Sequence, residues 1–181
     1  MKYENPDIES SFEPNDLGKT LYDLVLDLKP KVIIEFGALH GYSTVAMAMA
    51  LEKLGRGVIK SFDLWHDYPH KHAMKDDTIY NLKNYGVEEY VEFNYADFWE
   101  WKPDKCDMFF LDISNDGDIL ARAYDKLKGY TDYLVFEGGS KERDEVKWMI
   151  DYKKKPINKS GIEYDILNPD FPSISICKLK K

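Results

Sequence analysis

Acids recur in this chain where apolar runs end. Val32-Ile33-Ile34 leads into Glu35, Val58-Ile59-Lys60-Ser61-Phe62 into Asp63, Phe109-Phe110-Leu111 into Asp112, and Leu134-Val135-Phe136 into Glu137. Asp97 follows the run Tyr90 to Tyr95, with Ala96 between them. A carboxylate can accept hydrogen bonds from hydroxyls, hold a hard cation, or take a proton. One such acid alone is as well explained as a cap for the following helix. Recurrence after successive strands is harder to explain by capping. In an open parallel sheet, ligands sit outside the carboxyl ends of the strands, so these acids are expected on one rim.

Two glycines stand beside the first acid, in Glu35-Phe36-Gly37-Ala38-Leu39-His40-Gly41-Tyr42-Ser43. Their G-x-x-x-G spacing is neither the G-x-G-x-x-G of dinucleotide dehydrogenases nor a P-loop. Asp63 closes the next strand, where an acid can accept two hydrogen bonds from ribose hydroxyls. A carboxylate at the turn suits a cationic ligand better than a pyrophosphate, which it would repel.

The loop Trp65-His66-Asp67-Tyr68-Pro69-His70-Lys71-His72 is the most unusual composition in the chain. It reads either as a surface loop with polar rings or as a substrate lid. In a lid, His66 or His70 would act as general base, since His titrates near neutrality. The His spacing invites zinc, but no thiolate or suitable carboxylate accompanies it. His40, inside the glycine loop, reads equally as a ligand contact or a surface ring. Cys106 and Cys177 are far apart, amid strand-like residues, and are expected as buried free thiols.

These residues need elements to position them. Residues 1–14 read as an irregular arm, and 15–181 as a single domain. Asn15 is a plausible N-cap for a helix with Leu17, Leu21, Leu24, Val25 and Leu28 at helical spacing, stopped by Pro30. Lys31 to Phe36 is a strand. Tyr42 to Leu54 is a helix with Val45, Ala48 and Met49 on one face, ended by Gly55 and Gly57. Strands follow at Val58–Asp63, Tyr90–Tyr95, Asp107–Asp112 and Tyr133–Glu137. Helices lie at Ala73–Tyr85 and after Asp118. A further helix, capped by Ser140, is expected to share a face of Val146, Met149 and Ile150. Glu163–Leu167 and Ser173–Leu179 read as a final hairpin. Alternation of strand and helix implies an α/β fold with a mostly parallel sheet covered on both faces, and the hairpin adds an antiparallel edge.

With 181 residues, 44% hydrophobic and 32% charged, the composition is that of a soluble globular protein. A net charge of -8 argues against a large nucleic-acid footprint, which needs phosphate neutralisation. No apolar run approaches the ~18–20 residues of a membrane helix. The polar, acidic start Met1-Lys2-Tyr3-Glu4-Asn5-Pro6-Asp7 does not read as a signal peptide. A cytoplasmic protein with no membrane partner is expected, and the sequence leaves a homodimer open.

The ordered set of the glycine loop, Asp63, Ala96-Asp97 and Phe110-Leu111-Asp112 resembles the class I S-adenosylmethionine-dependent methyltransferases over roughly residues 15–180. Within them, the run Tyr133-Leu134-Val135-Phe136-Glu137 makes it most similar to small-molecule O-methyltransferases of catechol and macrocin type. The resemblance implies a Rossmann-like three-layer sandwich with a seven-stranded sheet. It also implies methyl transfer to a small-molecule acceptor through a hydroxyl. It places Gly37 and Gly41 beside the methionine part of S-adenosylmethionine, with Glu35 orienting the loop or the cofactor amine. Ser43 would bond the cofactor carboxylate, Asp63 the ribose, and Asp97 the adenine amine beside the Ala96 backbone. Leu64 or Trp65 would cover the adenine, and Trp99 or Trp101 would either line the cleft or pack. Asp112 would floor the catalytic cleft. Metal-dependent members hold magnesium with the fourth-strand acid and an Asp-Asn pair after the fifth strand. Here that set becomes Asp112 and Glu137, with Gly138 in place of Asn, and Asp116 or a water would have to complete the shell. Asp112 or Glu137 with the metal, or His66 or His70 without it, would then handle the acceptor proton. The competing readings are a nicotinamide oxidoreductase and a non-catalytic protein that keeps the fold.

Overall fold

A computed structural model describes residues 2–69 and 73–179. Its seven strands run in the order β3-β2-β1-β4-β5-β7-β6. Pairing is parallel for β1–β2, β2–β3 and β4–β5 and antiparallel for β5–β7 and β7–β6. That is the mostly parallel sheet with a C-terminal antiparallel hairpin that the alternating pattern predicts. Residue contacts group into two compact units, Met1–Lys102 and Pro103–Lys181.

The first unit holds α1 (Leu17–Leu28), β1 (Val32–Phe36), α2 (Tyr42–Leu54), β2 (Val58–Asp63), α3 (Lys75–Asn84) and β3 (Val91–Tyr95). β1 and β2 run in register from Val32 opposite Val58 to Phe36 opposite Phe62. α2 departs from the one-sided helix expected. Every residue from Tyr42 to Leu51 is buried, so its alanines serve close packing on all sides. α1 also departs from expectation at its start. Asn15 ends a short 3-10 turn (Glu13–Asn15), and Asp16 stands at the N-cap in the left-handed region, φ 47°, without capping α1. Its carboxylate instead accepts the Tyr3 hydroxyl.

That contact belongs to a set that fastens the arm to this unit. Ile8 and Phe12 are buried. Asp7 N–H donates to Tyr85 Oη at 2.7 Å, and Tyr42 Oη donates to Asn5 Oδ1 at 2.6 Å. Phe36 stacks on Phe62 at 4.8 Å, and the rings of Phe98 and Trp101 meet Phe36 edge-on at 5.2 and 5.1 Å. Trp101 thus packs, while Trp99 is partly exposed.

The second unit holds β4 (Met108–Leu111), α4 (Gly117–Leu127), β5 (Tyr133–Glu137), α5 (Lys141–Asp144), α6 (Lys147–Asp151), β6 (Asp165–Asn168) and β7 (Ile174–Lys178). Ser140 caps α5 as expected, accepting Arg143 N–H at 3.3 Å. The single helix expected beyond it is two. Val146 is extended between them, Met149 is buried, and Ile150 is 67% exposed. The Asp144 carboxylate accepts the N–H groups of Ile157 and Asn158 at 2.8 and 3.0 Å, which fixes α5 to the turn Ile157–Lys159 and ends it there. Both cysteines are free; Cys177 is buried and Cys106 only half-buried. Burial pushes the Cys177 thiol up to about 12.

Candidate active site

The glycine loop is held by side chains from two elements and by the backbone of the sheet. Gly37 and Gly41 sit at φ 95° and 90°, and Leu39 at 47°. Leu39 N–H donates to Asp63 Oδ2 at 3.0 Å. From α3, Thr78 Oγ1 donates to Leu39 C=O at 2.6 Å and Asn81 Nδ2 to His40 C=O at 2.9 Å. The sheet adds Gly37 N–H to Phe62 C=O at 3.0 Å. A Cβ on Gly41 would lie 2.8 Å from Thr78 Cγ2, so this position needs glycine for both its φ and its space.

Glu35 faces inward. It is fully buried and accepts three hydroxyls, from Ser43, Thr44 and Ser61, each at 2.7 Å. Burial raises its pKa; the three hydroxyls pull it back, and the Asp63 charge adds to the rise. Among the described residues its bonds tie the end of β1 to the first turn of α2 and to β2. Ser43, expected to meet a cofactor carboxylate, lies 4% exposed and donates to Glu35.

Asp63 is half-buried at the end of β2. Oδ2 accepts Leu39 N–H, and Oδ1 accepts Trp65 N–H at 2.7 Å. Its own carbonyl accepts Ala96 N–H at 3.4 Å. The structure therefore brings the glycine loop, Asp63 and Ala96 together. Leu64 is half-buried beside them. Asp97 is half-buried, with Oδ1 accepting Trp99 N–H at 2.6 Å. His66 is exposed on the turn Trp65–Asp67, its Nε2 3.4 Å from Asp67 Oδ1. His70 and His72 lie outside the described residues.

In the second unit, Asp112 is half-buried just after β4. Glu137 ends β5, and its Oε1 accepts Arg143 Nε–H at 2.6 Å and Asn115 Nδ2 at 3.3 Å. Asp116 caps α4, accepting Asp118 N–H at 2.9 Å. Among the described residues no three His, Cys, Asp or Glu side chains gather as a metal-holding group. A carboxylate committed to a guanidinium does not fit a divalent ion, which that cation repels. The residues present therefore do not fit magnesium on Asp112 and Glu137.

Sequence reasoning missed Thr44, Ser61, Thr78, Asn81, Asn115 and Arg143. The hydroxyls and amides carry no motif, because their partners are distant in sequence. For Arg143 a signal existed: a helix capped by Ser140 projects its third residue close behind the β5 acid.

A family profile described as a methyltransferase domain matches residues 34–145. No curated protein sequence matches the chain. Several solved structures share its fold. The S-adenosylhomocysteine-bound methyltransferase PaMTH1 of Podospora anserina aligns with a TM-score of 0.65 over 92% of this chain and 79% of its own, at 16% identity. The O-methyltransferase TomG of Streptomyces achromogenes, in complex with S-adenosylmethionine, gives 0.61 over 97% and 83%, at 17% identity. An RNA methyltransferase from Salinibacter ruber, in complex with S-adenosylhomocysteine, gives 0.62 over 92% and 92%, at 12% identity. The profile covers more than half of the chain, including the glycine loop, Asp63, Asp97, Asp112 and Glu137; this chain belongs to the methyltransferase domain family and has the Rossmann-like fold of class I.

Proposed function

We propose that the chain transfers the methyl group of S-adenosylmethionine to a hydroxyl oxygen of a small-molecule acceptor. The reading takes residues 15–181 as one methyltransferase-like domain behind the N-terminal arm. The observation that carries it is the bond from Leu39 N–H to Asp63. It joins the glycine loop to the acid at the end of β2, so backbone and carboxylate form one preorganised edge. Each Asp63 oxygen spends one acceptor site on a backbone N–H and keeps lone-pair capacity for a ribose hydroxyl. Asp97 keeps Oδ2 for the adenine amine, beside Ala96. Gly37 and Gly41 let the loop backbone approach the methionine part. Glu35 and Ser43 brace the loop from within.

Bound S-adenosylmethionine supplies an electrophilic methyl on a sulfonium. The protein's work is alignment of the acceptor oxygen with that methyl, and removal of the hydroxyl proton as it reacts. Asp112, or His66 or His70, is the base that takes that proton. Glu137 is not, because its carboxylate is already paired with Arg143.

Calorimetric titration with S-adenosylhomocysteine and with NAD tests the reading. Saturation by the first alone is expected; saturation by NAD alone would sink it in favour of an oxidoreductase. Asp63→Ala should weaken S-adenosylhomocysteine binding by ~1–3 kcal/mol, and an unchanged affinity would refute the ribose assignment. Tight binding without methyl transfer across a broad acceptor panel would favour a non-catalytic protein.

A further inference from the structure

We propose that Arg143 is a built-in cation that takes up Glu137, and that the chain therefore methylates without a divalent ion. This rests on the methyl-transfer reading above. The pair is nearly dry: the Glu137 side chain is 13% exposed and that of Arg143 7%. Guanidinium and Asn115 amide converge on the same oxygen, Oε1. An ion at that oxygen would sit against a fixed positive charge.

The position after the acid is unfavourable for a ligand side chain as well. Gly138 has φ 105°, and a Cβ there would lie 2.7 Å from Ile157 Cδ1. Arg143 Cγ and Asn115 Cβ flank the same spot at 3.7 Å each. Position 138 thus favours glycine through its φ, and a side chain there would have to displace the Ile157 methyl.

Arg143 is itself held in place. Its Cζ lies 4.9 Å from the Trp148 ring centre and 5.4 Å from that of Phe171, within cation–π range. The Ser140 hydroxyl accepts its backbone N–H, and the next residue, Asp144, accepts the Ile157 N–H. Among the described residues, Nη1 is buried without a hydrogen-bond partner. What the arrangement secures is a positive charge at Glu137.

The test uses the full-length protein and manganese as a paramagnetic probe. In electron paramagnetic resonance titrations, wild type should leave the free manganese signal undiminished to millimolar ion. Arg143→Lys, which keeps the charge, should behave the same way. Arg143→Met, which keeps an apolar stem between the rings, should gain manganese affinity by about tenfold or more, as the unpaired carboxylate seeks a cation. Methyl transfer by wild type should continue unchanged in excess chelator. Saturable manganese binding by wild type that Glu137→Gln abolishes would overturn the proposal, and so would loss of turnover in chelator. Should Arg143→Met fail to fold, the wild-type, Arg143→Lys and Glu137→Gln titrations decide the matter. S-adenosylhomocysteine binding measured on the same samples separates this outcome from failure of the methyl-transfer reading.

Discussion

Glu35 carries a conflict between burial and hydrogen bonding. Three hydroxyls at 2.7 Å favour its carboxylate, while complete burial and the nearby Asp63 disfavour it, and burial is the largest influence. The folded-state pKa therefore lies above the unfolded 4.5. A carboxyl raised in this way supports the fold fully below its unfolded pKa, and that support is lost as pH rises through the folded pKa. Glutamine has the same shape and no such titration. In denaturant unfolding between pH 4 and 8, Glu35→Gln should gain on wild type as pH rises, with a slope of at most about 1.4 kcal/mol per pH unit. A difference that stays flat or shrinks with rising pH would show that the hydroxyls, not burial, govern this group.

The element that matters most to the loop is α3, and it acts through backbone carbonyls. Thr78 and Asn81 hold the carbonyls of Leu39 and His40, and Leu82 packs under Gly41. Gly41→Ala must therefore fit a Cβ at φ 90°, 2.8 Å from Thr78 Cγ2 and 3.2 Å from Leu82 Cδ1. It should cost about 2–3 kcal/mol, combining backbone strain with overpacking, and weaken S-adenosylhomocysteine binding severalfold by moving the loop. Gly55→Ala is the control. Its φ is 65° and, among the described residues beyond its chain neighbours and own-helix backbone, no atom lies within 4 Å of its would-be Cβ, so it should cost about 1 kcal/mol and leave binding unchanged. Equal losses of binding at the two positions would remove α3 as the clamp.

The same contrast explains what could be read beforehand. The bounds of α2, β2 and β5 follow from local marks: Gly41, Gly55 and Gly57 around the helix, Asp63 and Glu137 at the strand ends. The partnership of Glu137 with Arg143 has no such mark, nor does the clamp of α3 on the loop. Each depends on side chains that meet only once the chain is folded. The break between α5 and α6 escaped for a similar reason. The Asp144 carboxylate binds N–H groups thirteen and fourteen residues away, a tertiary contact that overrides the helical spacing of Val146, Met149 and Ile150.

At the scale of the whole molecule, charge bears on the acceptor. One structure of like fold belongs to an RNA methyltransferase, and at 12% identity that likeness is one of fold. The formal net charge here is -8. The basic run Lys153-Lys154-Lys155 is partly spent: Lys154 Nζ lies 3.9 Å from Asp116 Oδ2, and Lys155 Nζ 2.8 Å from Asp118 Oδ1. Such partly exposed pairs contribute little to stability, yet they lower the positive potential a phosphate backbone would meet. RNA binding draws most of its non-specific affinity from that potential. Fluorescence anisotropy with a labelled single-stranded RNA at physiological salt should therefore show no saturable binding below ~100 μM protein, the weak end of non-specific association. Tight binding with a steep salt dependence would mean that a local basic surface outweighs the net charge, and the acceptor would then be sought among nucleic acids rather than small hydroxylated molecules.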